Sequence, residues 1–174
     1  MSLRALGNAN AADPRVSSEL DALLASGYRY AFSLSHDAAE AEDLLQDACL
    51  GILAARASWE RGYLFSAIRS RFIDRYRRQR KVPFLSLEGN DEGPAGESAS
   101  WEAPDVLENG RLERALSQLR VEERETLFLA IVEGYTAEEI GRLTSRPRGS
   151  VLSLLHRTKA KLRELLEREA RVHP

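Results

Sequence analysis

Residues 82–110 carry seven acidic side chains, Glu88, Asp91, Glu92, Glu97, Glu102, Asp105 and Glu108, and neither a lysine nor an arginine. Pro83, Pro94, Pro104, Gly89, Gly93 and Gly96 fall in the same stretch, whose apolar residues follow no regular spacing. Such a segment supplies neither a helical stripe nor an alternating strand, so it reads as a linker. It divides the 174 residues into two shorter pieces, each of which must bury a core of its own. A plain flexible linker, with acids that serve solubility alone, is the simpler alternative.

The acidic segment changes how the charge balance is read. With 25 basic and 27 acidic residues the net charge is only −2, which taken alone argues against a nucleic-acid partner. The charge is segregated, however. Residues 56–81 hold nine basic side chains against Glu60 and Asp74, and residues 142–174 hold nine more against Glu164, Glu167 and Glu169. Two polyanion-facing surfaces joined by an acidic segment are expected.

Cys49 is the single cysteine, and His36, His156 and His173 are scattered, so neither a disulfide nor a zinc pattern is available. The longest apolar run, residues 127–132, is far below the roughly 20 residues of a membrane helix, and the N-terminus lacks an apolar signal core. A cytoplasmic protein without membrane insertion is expected. No cofactor is called for, and no nucleophile, metal cluster or phosphate loop stands at a workable spacing for an enzyme.

On both sides of the linker the apolar spacing is helical, and the expected fold class is all-α, two small helical domains. Leu20, Leu23, Leu24, Tyr28, Ala31 and Phe32 mark a first helix, and Asp37 caps a second through Leu44, Leu45, Ala48, Ile52 and Leu53. A third covers about residues 62–80, where Leu64, Phe65, Ile68, Phe72 and Tyr76 form an apolar stripe. Arg71, Arg75 and Arg78 recur on roughly the opposite side, an expected positive face. Beyond the linker, Leu112, Leu116 and Leu119 suggest one helix, and Leu127, Phe128, Ile131 and Val132 another, ended near Gly134 as a C-cap glycine would do. Thr136, Ala137, Glu138 and Glu139 form a capping box ahead of Ile140 and Leu143. Pro147 then opens a helix through Val151, Leu155, Thr158, Leu162 and Leu165. A short helix, a tight turn and a basic helix make a helix-turn-helix, with the second helix offered to the major groove.

Residues 149–159 (GSVLSLLHRTK) resemble the recognition helix of region 4 in extracytoplasmic-function sigma factors, and residues 135–141 (YTAEEIG) resemble that family's entry to the motif. Residues 41–47 (AEDLLQD) and 68–74 (IRSRFID) resemble its region 2 signatures. The resemblance covers about residues 28–82 and 110–168. It implies an N-terminal tail over residues 1–16, a region 2 over 17–82, the acidic linker over 83–107 and a region 4 over 108–174. It further implies core RNA polymerase and promoter DNA as partners and an anti-sigma protein as regulator. Region 2 would hold the melted minus-ten element, region 4 would read the minus-thirty-five element, and the Glu42 helix would dock on the clamp helices of polymerase.

Arg71, Arg75, Arg77, Arg78, Arg80 and Lys81 suit phosphates. Beside them Arg61, Trp59 and Tyr63 are candidates for the unpaired strand, since aromatics next to a basic groove stack bases at about 1–3 kcal/mol each; Phe65 reads as core. Glu42, Asp43, Gln46 and Asp47 form an acidic and amide edge for a partner's arginines, although Asp43 or Glu42 could instead pair internally with Arg69. In region 4, Arg146, Arg148, Ser150, Ser153, Arg157 and Lys159 surround the groove-facing end. His156 reads as a packing or phosphate residue. Three features depart from the family pattern: a short loop over 57–62, Ser145 at a turn-glycine position, and Leu152 and Leu154 where basic residues are usual. An exposed leucine pair would suit a protein partner, so a sigma-like decoy that binds an anti-sigma protein and not DNA is the alternative.

Overall fold

The computed structural model describes residues 14–80 and 107–172. The expected linker over 83–107 lies outside the described residues except for Leu107, as do Lys81, residues 1–13 of the expected tail and the side chain of Arg80. The chain divides into two compact units, Met1–Gly89 and Asn90–Pro174. The described residues form seven helices and no strand. None of these helices is long and apolar enough to cross a membrane.

In the first unit α1 (Pro14–Ser35), α2 (Ala38–Ala55) and α3 (Arg61–Arg80) pack pairwise against one another. The α3 stripe expected from the sequence is the heart of the core: Leu64, Phe65, Ile68 and Phe72 are buried, against Leu44, Ala48 and Ile52 of α2 and Leu23, Ala31 and Leu34 of α1. Tyr30, which falls outside the apolar spacing chosen for α1, is wholly buried and stacks on Phe65 with ring centroids 4.4 Å apart. Such a pair adds about 0.5–1.5 kcal/mol beyond its area. Asp37 caps α2 as expected, its carboxylate accepting from the Glu40 amide at 2.8 Å. At the other end Arg56 closes the helix in the left-handed region, with φ 49°.

The second unit is built on α7 (Arg148–Val172), against which α4 (Leu107–Ser117), α5 (Val121–Ile131) and α6 (Ala137–Thr144) all pack. One cluster joins Ala115 and Leu119 to Leu165, with Leu116, Leu127, Leu162 and Leu166 around it. Leu129, Ile140, Val151 and Leu154 are buried in the helix-turn-helix half. The burial of Leu154 corrects the expectation of an exposed Leu152–Leu154 pair. Residues i+3 and i+4 from Val151 both fall within a buried stripe about 100° wide, so Leu154 packs inward and only Leu152 is exposed.

Two further differences concern α5. Ile131 and Val132, part of the apolar spacing that marks this helix, are exposed at its end, while Glu123, Arg124, Glu125 and Thr126 occupy buried positions. The helix stops at Ile131 with Val132 as its C-cap, and Gly134 turns the chain two residues later at φ 71°.

Candidate functional site

The helix-turn-helix is held by local chemistry at both ends of α6. Thr136 accepts from the Glu139 amide at 3.3 Å, while the Glu139 carboxylate takes the Thr136 amide at 2.8 Å and its hydroxyl at 2.7 Å. These bonds draw the Glu139 carboxyl below its ordinary range. At the other end Ser145 adopts φ 57° and ψ 41°, the left-handed cap that glycine ordinarily supplies. The Arg146 amide reaches back to the Gly141 carbonyl at 2.9 Å. A Cβ on Gly141 would stand 2.5 Å from the Arg146 carbonyl oxygen, so the turn closes directly onto the glycine. Pro147 precedes α7, its carbonyl accepting from Val151 at 3.1 Å.

With Val151, Leu154 and Thr158 facing inward, the other side of the first turns of α7 is left to solvent. Arg148, Ser150, Leu152, Ser153, His156, Arg157 and Lys159 are exposed there, and Arg146 is half-buried in the turn. The candidate residues from the sequence therefore lie on or beside one surface, together with Leu152. His156 is exposed, which removes the packing role considered for it. Among the described residues, Leu152, Ser153, His156 and Arg157 line a shallow open depression on this surface.

Behind the surface, α5 is tied to α7 through Glu123. Its carboxylate accepts from the Arg120 amide at 2.9 Å and from Lys161 Nζ at 2.9 Å. Burial pushes the Glu123 carboxyl up, but these hydrogen bonds and the charges of Lys161 and Arg120 outweigh it and hold the group below its ordinary value. Arg124 is buried and donates to the Leu119 carbonyl at 2.6 Å. Burial, opposed by Glu122 and Glu123, draws its guanidinium below the usual range. The Thr126 and Thr158 hydroxyls are buried with no hydrogen-bond partner.

In the first unit the basic helix is less free than its spacing suggests. Arg71 donates to the Ala67 carbonyl at 3.3 Å, and its guanidinium lies over Gly51 of α2, in the space a Cβ there would need. Arg75 reaches Asp47 at 2.8 Å and Asp43 at 3.4 Å, both on α2. Slight burial pulls the Arg75 guanidinium down, but the two carboxylates raise it above its ordinary value. The expected continuous positive face is thus interrupted, because Arg71 and Arg75 lean back onto α2. Arg77 and Arg78 are exposed, as are Arg61 and Tyr63, while Trp59 is half-buried in the connection between α2 and α3. Phe65 is wholly buried and is core. Asp43, considered as a partner for Arg69, pairs with Arg75.

Glu42, Asp43, Gln46 and Asp47 share one exposed side of α2. Leu50 and Leu53 extend that side and are 65% and 59% exposed, which gives it an acidic half and an apolar half. Leu53 belongs to the apolar spacing expected for α2 and Leu50 does not; the signal for their shared side is that Leu50 lies about two turns and Leu53 about three turns from Asp43 along one helix face.

Comparison with known proteins places these two units. The family described as Sigma-70 region 2 matches residues 20–82, and the family described as Sigma-70, region 4 matches residues 109–162. The RNA polymerase sigma factor CarQ of Myxococcus xanthus is 35% identical over 131 residues, 72% of this chain and 74% of that protein. The ECF RNA polymerase sigma factor EcfG of Rhodopseudomonas palustris is 30% identical over 143 residues, 79% and 77% of the two chains. SigE of Mycolicibacterium smegmatis, also an ECF sigma factor, is 29% identical over 82% of this chain and 58% of that protein. Among solved structures, the sigma factor RpoE of Bartonella quintana, determined in complex with the anti-sigma factor NepR, matches with a TM-score of 0.66. That match covers 89% of this chain and 98% of the other at 24% identity, a likeness of fold.

Proposed function

The chain belongs to the sigma-70 family of RNA polymerase sigma factors, in its extracytoplasmic-function branch, and from that premise we propose that it binds core RNA polymerase and directs initiation at specific promoters. In this reading it catalyses nothing itself and works beside polymerase in the cytoplasm. The second unit reads the minus-thirty-five element through the exposed side of α7. The first unit holds the melted minus-ten strand with Trp59, Arg61 and Tyr63 and neutralises phosphates with the arginines of α3.

The observation that carries the reading is the exposed side of α7. It concentrates arginine, serine, histidine and lysine side chains at the start of a helix whose approach is fixed by the Gly141–Arg146 turn. Residues at the start of a recognition helix are those that reach base edges. For polymerase docking, the supporting feature is the α2 side, where Glu42, Asp43, Gln46 and Asp47 offer acceptors to arginines and Leu50 and Leu53 offer apolar area. Arg75 holds Asp43 and Asp47 in place while leaving both carboxylates more than half exposed. An anti-sigma protein is the proposed regulator, by analogy with the partner of the Bartonella relative.

Reconstitution with bacterial core polymerase, followed by sequencing of transcripts started on fragmented genomic DNA, tests the proposal. Transcripts that share two spaced upstream elements are the expected outcome. The alternative of a decoy for an anti-sigma protein leans on Leu152 and on the short loop over 57–62, because Leu154 is core. Tight binding to core without initiation would decide for it.

A further inference from the structure

On the exposed side of α7, Leu152 is out of keeping with its neighbours. It is 44% exposed, while Arg148, Ser153, His156 and Arg157 around it are all polar and exposed. The core does not hold it, since Val151 and Leu154 on either side are the residues that turn inward. From these observations, and resting on the reading of α7 as the promoter-facing helix, we infer that Leu152 is a specificity residue that selects a thymine in the upstream element through the thymine 5-methyl group.

Base edges in the major groove present acceptors, amino donors and one apolar group, the thymine methyl. Leucine has no side-chain donor or acceptor, so it has nothing to give a phosphate or a guanine, and beside those groups it would only strip their hydration. Against a thymine methyl it buries apolar surface on both sides. The surrounding chemistry commits the face to DNA. Arg148 and Arg157 lie along the same exposed side, and Ser153, His156 and Arg157 line one depression with Leu152. His156 is one helical turn further on, about 6 Å along the axis, close to the rise of two base pairs at about 3.4 Å each. Leu152 and His156 therefore address base pairs one or two steps apart. A protein surface would have to cover the same leucine while desolvating the arginines beside it.

The test uses the full chain in holoenzyme with bacterial core polymerase. The holoenzyme first selects sites from a randomised duplex library, and each thymine of the selected upstream element is then replaced by deoxyuridine, which pairs identically but lacks the methyl. One replacement should weaken binding about fourfold, the worth of one buried methyl-sized group. The same replacement should be without effect for Leu152→Ser, a change at an exposed position that leaves the core intact. Leu152→Arg should move the preference at that base pair from thymine to guanine. Indifference of the unaltered protein to deoxyuridine at every position would overturn the inference and leave Leu152 to a protein partner. So would a penalty that persists in Leu152→Ser. Failure to select any upstream element is a different result: it removes the promoter-reading function itself, and this inference with it.

Discussion

Glu123 joins the start of α5 to the middle of α7 through a single carboxylate, and its protonation state is therefore a stability variable for the second unit. The group is held below its ordinary value by Lys161 and Arg120 despite burial. The stability it supplies is fully present above the unfolded glutamate value of about 4.3 and is lost as pH falls through the lower folded value. Glu123→Gln should lower the melting temperature at neutral pH, at a cost of about 1–3 kcal/mol for a buried hydrogen-bonded charge. It should also flatten the acid limb of the stability curve, as thermal denaturation at a series of pH values would reveal. Ser145 offers the opposite sign. A left-handed conformation costs a non-glycine residue about 1–2 kcal/mol, and Ser145 is exposed. Ser145→Gly should gain up to about 1 kcal/mol after the extra chain entropy of glycine is subtracted. Thr126 is a third case, a buried hydroxyl without a partner. Thr126→Val keeps the shape, removes the stranded group and should raise stability by about 1 kcal/mol in denaturant titration.

At the scale of elements, the helices whose ends are fixed by neighbouring residues were legible in the sequence, and the contacts between helices were not. Asp37 and Thr136 cap α2 and α6 as read, because a cap is completed within three residues of chain. The α3 stripe was legible because its period repeats within one helix, and Leu64, Phe65, Ile68 and Phe72 are buried along it. Leu154 escaped because the inward face of α7 is wider than one residue per turn. Ile131 and Val132 misled because α5 buries charged residues instead, among them Glu123, which pairs with Lys161, 38 positions away, and Arg124, which donates to the Leu119 carbonyl. The ties of Arg75 to α2 span 28 and 32 positions, beyond the reach of any periodicity. These ties decide which arginines would test the proposed DNA contact alone. Arg75→Ala would also release Asp43 and Asp47 on the proposed polymerase side. Arg77→Ala with Arg78→Ala touches exposed positions only and should reduce open-complex formation while leaving core binding unchanged, as a paired measurement of promoter melting and core affinity would establish.

For the whole molecule, a net charge of −2 sets the free chain apart from an ordinary DNA-binding domain. Any affinity for duplex DNA must come from local basic surfaces working against acids elsewhere, so unspecific binding by the free protein should be weak and should fall with salt. In holoenzyme, the slope of log binding constant against log salt should fall by about 0.9 for each phosphate contact removed. The Arg77, Arg78 double alanine variant should therefore lose up to about 1.8 from that slope, closer to 1.4 where the contacted strand is single. A slope unaltered by the double change would place the phosphate contacts of the first unit elsewhere. The two-unit division was visible in the sequence because the acidic segment is a compositional feature, which needs no knowledge of packing.

The turn at Gly141 has a consequence for redesign. Because the Arg146 carbonyl rests against the glycine itself, the angle at which α7 leaves the turn is set by backbone against backbone. The side chains that would meet base pairs contribute nothing to that angle. They interleave with Val151, Leu154 and Thr158 along one helix but occupy a separate surface. If α7 reads the promoter as proposed, the address a promoter must carry is written in a detachable set of residues on a chassis that does not depend on them. Exchanging that set should rewire which genes the protein switches on while the machine that delivers it stays as it is.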